Sequence, residues 1–334
     1  MSVCAIIPAR SGSKTVKDKN IRTMCGKPML AWSIEQAQAA SEITRVIVST
    51  DSEKYAKIAQ EYGAETPFIR PASVSMDATT DLETFQHALC WLQQHEGGTP
   101  DIIVHLRPTH PVRYETDIDK AVQLLRETPD ADSVRSVVAA NENPYKMWTL
   151  DEGGMLRSIV SGLPECYNLP RQSLPFPYYQ NACIDVVRAQ TILQKNSMTG
   201  DCVLGYPMQY NFDVDTEQDF LRAEQALSLQ QAERSGLPRT FCFDIDGVIA
   251  SLVLDGDYNA ATPMADNIAK IRRLFGKNHK IILFTARGYV TGLDWCAVTE
   301  KQMRQWAVPY HELHFGKPAA DFYVDDKMIS IFNL

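Results

Sequence analysis

The 334-residue sequence lacks both glycine-rich patterns that usually mark a phosphate-binding loop, since neither GxxxxGK[ST] nor GxGxxG occurs in it. It also lacks any CxxC pair. Its eight cysteines (Cys4, Cys25, Cys90, Cys166, Cys183, Cys202, Cys242, Cys296) are scattered, several within apolar runs where a thiol acts as a small hydrophobe. This excludes a Cys-paired metal ribbon and suits a reducing cytosol better than a disulfide framework. No apolar run approaches the ~20 residues of a membrane span, and no signal-like segment precedes the first apolar run. The expectation is a cytoplasmic protein without a membrane partner. Basic charge is also in deficit: 33 Lys and Arg against 41 Asp and Glu leave a net charge of −8, which argues against a general nucleic-acid binder. Internal repeats and low-complexity segments are missing as well.

What is present begins at Val3. Val3–Ile7 is a continuous apolar run, as expected of a strand buried on both faces. Pro8 ends it, and Arg10, Lys14, Lys17 and Lys19 follow, interleaved with Ser11, Gly12 and Ser13. A small-residue loop at the carboxyl end of a strand can turn its N–H groups toward an anion while the cations neutralise it. That is a candidate nucleotide-phosphate site, with a solvated basic turn as the alternative.

Downstream, helices and strands alternate. A helix is expected from Pro28, at its first position, to Ala40. A strand follows over 45–49, then a helix capped within Thr50-Asp51-Ser52 and ending at Gly63. A helix over 81–94, a strand over 101–106, a helix over 116–126 and a strand over 133–139 complete the series. This order predicts a mostly parallel sheet with helices on both faces and ligands at the carboxyl ends of the strands. Arg10, Asp51 and Arg107 all fall at such ends. Prolines 144, 164, 170, 175 and 177 break the pattern between 141 and 210 into expected loops and short strands, suited to covering a site or packing on a neighbouring subunit. A helix capped by Thr216 runs to about residue 233, and the domain boundaries expected are 1–233, a linker at 234–239, and 240–334. The second domain reads strand (241–243), helix (264–275), strand (280–284), helix (298–306), strand (322–324).

Asp213 and Asp215 stand two apart, so on an extended segment both carboxylates leave one face, a hard-oxygen pair suited to Mg²⁺ carried by a nucleoside triphosphate. At this point the first domain resembles the cytidylyltransferases that activate sugar acids, the CMP-sialic acid synthetase family and its CMP-KDO relatives. The resemblance rests on IIPARSGSK with Lys19-Asn20, GKPMLAWSI, VIVSTD, Arg70-Pro71, Asp77, LRPTHPVR, PRQSLP, Asn181 and DVDTEQD, in family order over nearly all of residues 1–225. It implies a nucleotide-diphospho-sugar transferase-like fold and transfer of CMP from CTP to a 2-keto-3-deoxy sugar acid, nonulosonic or KDO-like. It further implies that Arg10, Ser13 and Lys19 hold the triphosphate, Arg10 and Lys19 as catalytic cations. Asn20, Arg70 and Asp77 would complete the nucleotide site. Arg107, Lys146, Arg171, Gln172 and Asn181 would shape the sugar and α-phosphate pocket, and Asp213 and Asp215 would ligate Mg²⁺. Where relatives commonly read LQPTSP, this chain has Arg107 and His110.

The second domain carries FDIDGV, LFTARG, FGKP and YVDD in that order. It resembles the haloacid dehalogenase phosphatases, with the gaps between motifs leaving little room for a cap. The resemblance implies Asp244 as nucleophile, Asp246 as general acid and base, Thr285 and Lys317 on the phosphate, and Mg²⁺ among Asp244, Asp246, Asp325 and Asp326. His311 and His314 sit at strand rather than i, i+4 spacing, so structural roles are expected for them. A phosphorylated small molecule would be its substrate, and a homo-oligomer, dimer or tetramer, is expected. Two other readings stay open: a second domain that serves only as an assembly scaffold, and a first domain using another nucleotide or acceptor.

Overall fold

The computed structural model describes residues 1–12, 18–235, 237–253 and 256–318. Two α/β units emerge, Met1–Glu224 and Gln225–Leu334. In chain order the strands are β1 (Val3–Pro8), β2 (Thr23–Met24), β3 (Lys27–Pro28), β4 (Arg45–Ser49), β5 (Ile102–Leu106), β6 (Ser133–Ala139), β7 (Trp148–Leu150), β8 (Leu156–Ser158), β9 (Tyr178–Arg188), β10 (Val203–Met208), β11 (Thr240–Asp244), β12 (Lys280–Thr285) and β13 (Glu312–Phe315). The helices are α1 (Met29–Ala39), α2 (Glu53–Glu61), α3 (Asp81–Glu96), α4 (Asp117–Glu127), α5 (Ala189–Gln194), α6 (Glu217–Ser235), α7 (Ala265–Gly276) and α8 (Cys296–Gln305).

The first unit is built on a six-stranded sheet in the order β10-β6-β9-β5-β1-β4. β1 pairs in parallel with both β4 and β5. Its apolar run is buried on both sides because alternate residues serve two cores. Val3, Ala5 and Ile7 pack with Leu30 and Ile34 of α1 and with Ile118, Val122 and Leu125 of α4. Cys4 and Ile6 pack with Phe85, Leu89 and Leu92 of α3 and Ile192 of α5. The chain leaves β1 for β4 on one side and returns to β5 on the other, so the topological switch lies at the carboxyl end of β1. The caps are local: Ser52 accepts from the Tyr55 N–H, and Thr80 with Glu83 forms a reciprocal capping box at α3.

Two expectations are corrected. Pro28 is not the first helical residue; it pairs with Thr23 in the β2–β3 ribbon and precedes α1 with extended ψ of 140°. The reason is the two-residue turn Cys25-Gly26, whose φ values of 49° and 81° fold the chain back and carry Pro28 onto the ladder. The stretch 141–210 holds more than loops and short strands. β9 is eleven residues long and lies antiparallel between β5 and β6 at the sheet's centre. Prolines 144, 164, 170, 175 and 177 all precede it, and Cys183–Val187 is buried without alternation. A register shift opposite Arg135–Val137 and a φ of 57° at Ala182 mark a bulge there.

The second unit is a small, capless parallel sheet, β11-β12-β13, with α7 and α8. Its core gathers Phe243, Ile245, Ile249, Ile268, Ile271, Leu274, Ile281, Leu283 and Met303, with Trp306 and Tyr310 packed against it. Trp295 instead stands edge-on to Tyr258. His311 fills a structural role by accepting the Ile281 N–H at 3.0 Å, while His314 meets Glu312. The strand expected over 322–324 lies outside the described residues. No helix among them is long and apolar enough to cross a membrane.

Candidate active sites

At the switch point the carboxyl ends of β1 and β4 are tied together. Ala9 N–H donates to the Ser49 carbonyl at 2.9 Å, and Asp51 accepts from the Ser11 N–H at 2.7 Å and its hydroxyl at 2.8 Å. Asp51 therefore holds the entry of the basic loop. Ser13, with Lys14 and Lys17, lies outside the described residues. Arg10 donates to Asp77 at 2.7 Å, and Asn20 donates to the Arg10 carbonyl at 3.0 Å. Lys19 is buried and donates to the Val214 carbonyl at 2.8 Å and to Asp215 at 3.1 Å. The two charge clusters picked from opposite ends of the unit thus meet. Arg70 is 4% exposed; one terminal nitrogen reaches Thr84 Oγ1 at 3.0 Å, but Nε and Nη2 have no hydrogen-bond partner among the described residues. Burial pulls its guanidinium down from the ordinary value, Asp51 offsets part of this, and Arg10 adds to it. Unpaired donors of this kind need an acceptor.

Asp213 sits 3.6 Å from the buried ring of His110. Burial raises its carboxyl above the usual carboxylate range, Thr109 opposes this, and the neighbouring Asp215 charge raises it further. His110 itself is held neutral, down at about 3, by burial and then by the Arg113 charge. Among the described residues no group of three or more His, Cys, Asp or Glu could hold a metal ion.

Around the residues expected to meet the sugar, a polar row lies on one face of the sheet, where register places His105 opposite Asp185 and Asp185 opposite Arg135. Arg107 donates to Asp185 at 2.9 Å, to Asp81 at 2.7 Å and to the Ala182 carbonyl at 3.0 Å. Its fork is therefore largely occupied within the chain. Asn181 is buried, accepting from Ser136 Oγ at 2.6 Å. Lys146 donates to the carbonyls of Tyr167 and Leu169, while Arg171 and Gln172 are exposed, Arg171 near Asn141 and Glu142. Among the described residues no hydrogen bond or ion pair joins Lys146, Arg171 or Gln172 to the basic loop, whereas the Arg107 charge acts on Asp213. Sequence reasoning missed Asp185, Asp81 and the fully buried Arg113, which ties Ser33, Gln36 and the Cys183 and Arg107 carbonyls together. The only sequence signal for Arg113 was its place at the end of LRPTHPVR.

In the second unit β11 delivers Asp244 and β12 delivers Thr285 to neighbouring strand ends, paired in parallel. Lys317 contacts Asp244, and its N–H donates to the Thr285 carbonyl at 3.1 Å. Asp244 also accepts the Ile245 N–H at 2.8 Å. Asp246 is grasped by Arg287, a residue missed within LFTARG, and lies 3.4 Å from the Thr285 hydroxyl. Asp325 and Asp326 lie outside the described residues.

The first unit defines a class: an α/β protein with a candidate anion site at the switch point of its sheet. Comparison with known proteins narrows it. A family model described as "Cytidylyltransferase" matches residues 4–149. The chain is 33% identical over 231 residues to an N-acylneuraminate cytidylyltransferase of Escherichia coli O18:K1:H7, covering 69% of this chain and 52% of that one. It is 33% identical over 221 residues to the post-translational flagellin modification protein B of Campylobacter coli, covering 65% and 92%. With a CMP-N,N'-diacetyllegionaminic acid synthase of Legionella pneumophila it shares 30% over 236 residues, covering 69% and 98%. The chain thus spans about half the length of the first relative and nearly all of the other two. A solved CMP:2-keto-3-deoxy-manno-octonic acid synthetase complexed with CTP has the same fold over 69% of this chain and 100% of that one, with a TM-score of 0.51 and 16% identity. The chain belongs to the cytidylyltransferase family, among its CMP-sialic acid and CMP-KDO synthetase-like members.

Proposed function

We propose that the first unit transfers CMP from CTP to the anomeric hydroxyl of a 2-keto-3-deoxy sugar acid, nonulosonic or KDO-like, and that the second hydrolyses a phosphate ester. The observation carrying the first reading is the charge cluster at the end of β1, where Arg10 is felt by the buried Arg70, Asn20 holds the Arg10 carbonyl, and the adjacent Lys19 meets Asp215. The names of the relatives support the nucleotide and the acceptor class. The acceptor oxygen attacks the α-phosphorus, the bond to the β-phosphate oxygen breaks, pyrophosphate departs, and the hydroxyl proton goes to water. Lys19 and Arg10 neutralise the triphosphate and the charge that develops on the leaving group. Arg70 supplies donors for the carbonyl and ring nitrogen of cytosine. Asp213 and Asp215 fit Mg²⁺: Asp213's raised proton affinity, caused by burial and then by Asp215, is what a nearby cation would relieve. Mg²⁺ bound there would supply charge neutralisation along the phosphates.

For the second unit, the supporting observation is the pairing of Asp244 with Lys317 at the end of β11, beside Thr285. An Asp244 oxygen attacks phosphorus, the ester bond breaks, and the leaving oxygen takes its proton from Asp246. Water then gives a proton to Asp246 and attacks the aspartyl phosphate, releasing phosphate and restoring Asp244. Asp244, with Asp325 or Asp326, would hold Mg²⁺; Asp246 suits that role less, because both its oxygens already meet Arg287.

A cytoplasmic homo-oligomer, dimer or tetramer, fits the exposed side chains around the β7–β8 ribbon, where Leu150, Met155, Leu156 and Ile159 are each more than half exposed. A thermal-shift panel of CTP, UTP, GTP and ATP with Mg²⁺ tests the nucleotide. CTP alone should raise the melting temperature strongly, and equal shifts from all four would remove the cytidylyl reading.

A further inference from the structure

One fully buried charged side chain in the second unit belongs to neither expected set. Arg287 follows Thr285 by two residues, and its side chain is fully buried, whereas that of Asp246 keeps 20% of its surface open. Nε donates to both carboxylate oxygens of Asp246, at 3.1 and 3.0 Å, and Nη2 donates to Oδ1 at 2.7 Å. The other arm of the guanidinium is anchored separately: Nη1 donates to Thr299 Oγ1 at 3.1 Å and to Gln302 Oε1 at 2.7 Å. Gln302 is itself fixed by donating to the Tyr258 carbonyl at 2.6 Å, and the Tyr258 ring covers the guanidinium at 4.6 Å. The Arg287 N–H donates to Thr285 Oγ1 at 3.1 Å, so the residue that would bind phosphate and the one that grips Asp246 share one turn.

We propose that Arg287 is the positioning residue of Asp246, fixing the plane and direction of the carboxylate that moves the proton to and from the leaving oxygen. The proposal rests on the phosphatase reading of the second unit. A fork with two anchored arms fixes a carboxylate's plane as well as its place, which the single point charge of a lysine does not. A buried ion pair is a poor stabiliser compared with apolar packing, so an orienting role accounts for it better than stability does. Thr299 and Gln302 on α8, both buried, make the helix a backing for the proton-transfer group.

The test uses the whole chain and compares two substrates in single-turnover release of the leaving group. p-Nitrophenyl phosphate has a leaving group that departs with little protonation, whereas a simple alkyl phosphate requires a proton. Positioned acid–base catalysis is worth about 10²–10⁴-fold. Arg287→Lys should therefore slow alkyl phosphate cleavage by about tenfold or more and p-nitrophenyl phosphate by about threefold or less, with KM for each nearly unchanged. Gln302→Met, which removes one anchor and leaves the Arg287–Asp246 contact in place, should show the same selectivity at smaller amplitude, and it serves if Arg287→Lys does not fold. Equal losses on both substrates, or none, would overturn the proposal while leaving the phosphatase reading intact. A wild-type protein that cleaves neither substrate would remove that reading, and the proposal with it.

Discussion

Lys19 Nζ stands 3.1 Å from Asp215 Oδ1, a contact that joins two segments 196 residues apart. Asp215 is largely exposed, so the pair adds little to stability, and its importance lies in the charges it gathers. Replacing Lys19 with Met should keep the fold but lower the melting temperature modestly, because the buried Val214 carbonyl loses its donor. It should lower kcat/KM for CTP by about 10²-fold, the scale of losing one charge-stabilising group at a transition state. Pyrophosphate release measured against CTP concentration checks this; an unchanged kcat/KM would remove Lys19 from the site.

Arg107 gives a second test. It bridges Asp81 and the buried Asp185, so Arg107→Gln leaves a carboxylate that is 2% exposed without its hydrogen-bonded cation, with only Arg135 at 3.6 Å. Breaking such a pair costs about 3–5 kcal/mol. The variant should lose stability and acceptor use together, while calorimetry finds CTP affinity little changed. Adding Asp185→Asn should restore most of the stability, and a double variant no more stable than Arg107→Gln would contradict the bridge.

The legible parts of this molecule are those set by local patterning. β4, β6 and the α3 helix follow from apolar runs and caps that lie within a few residues, and β1 with its loop was readable as an anion site because cations and small residues are adjacent. The pairings that finish each site were not legible. Asp185 meets Arg107 only because β9 inserts antiparallel beside β5, and nothing in YYQNACIDVVR announces that neighbour. Arg287 was hidden for the same reason: its partners lie on β11's following loop and on α8. Pro28 was misread because a two-residue turn at Cys25-Gly26 carries it onto a ladder before the helix begins. Asp325 and Asp326 remain motif-based expectations.

Arg70 separates binding from stability. Its Nε and Nη2 are buried without partners among the described residues, a cost in the free protein. Arg70→Met should leave the nucleotide-free protein at least as stable as the wild type, yet weaken CTP binding by about tenfold or more, the scale of one or two charged hydrogen bonds. Paired thermal melts with and without CTP measure both. Unweakened CTP binding would remove Arg70 from the nucleotide site.

Asp132 contributes to the acid response. Lys195 at 2.8 Å, then the N–H groups of Cys202 and Asp201, hold its carboxyl well below the usual range. A depressed folded-state value contributes stability that is present above the unfolded value of about 4 and lost as pH falls through the folded one. Asp132→Asn should therefore destabilise the protein at neutral pH and flatten its loss of stability below about pH 4. Urea melts of both proteins from pH 7 downward read this, and parallel stability curves for the two would contradict it.

Pyrophosphate release is the most direct measurement of the central claim. Wild-type protein with Mg²⁺, CTP and a panel of nonulosonic and octulosonic acids should release pyrophosphate with at least one acceptor, far faster than with UTP, GTP or ATP. Asp215→Ala should lose about 10²-fold or more of that rate, with its fold intact by circular dichroism. Equal use of another nucleotide, or full activity in Asp215→Ala, would contradict the account.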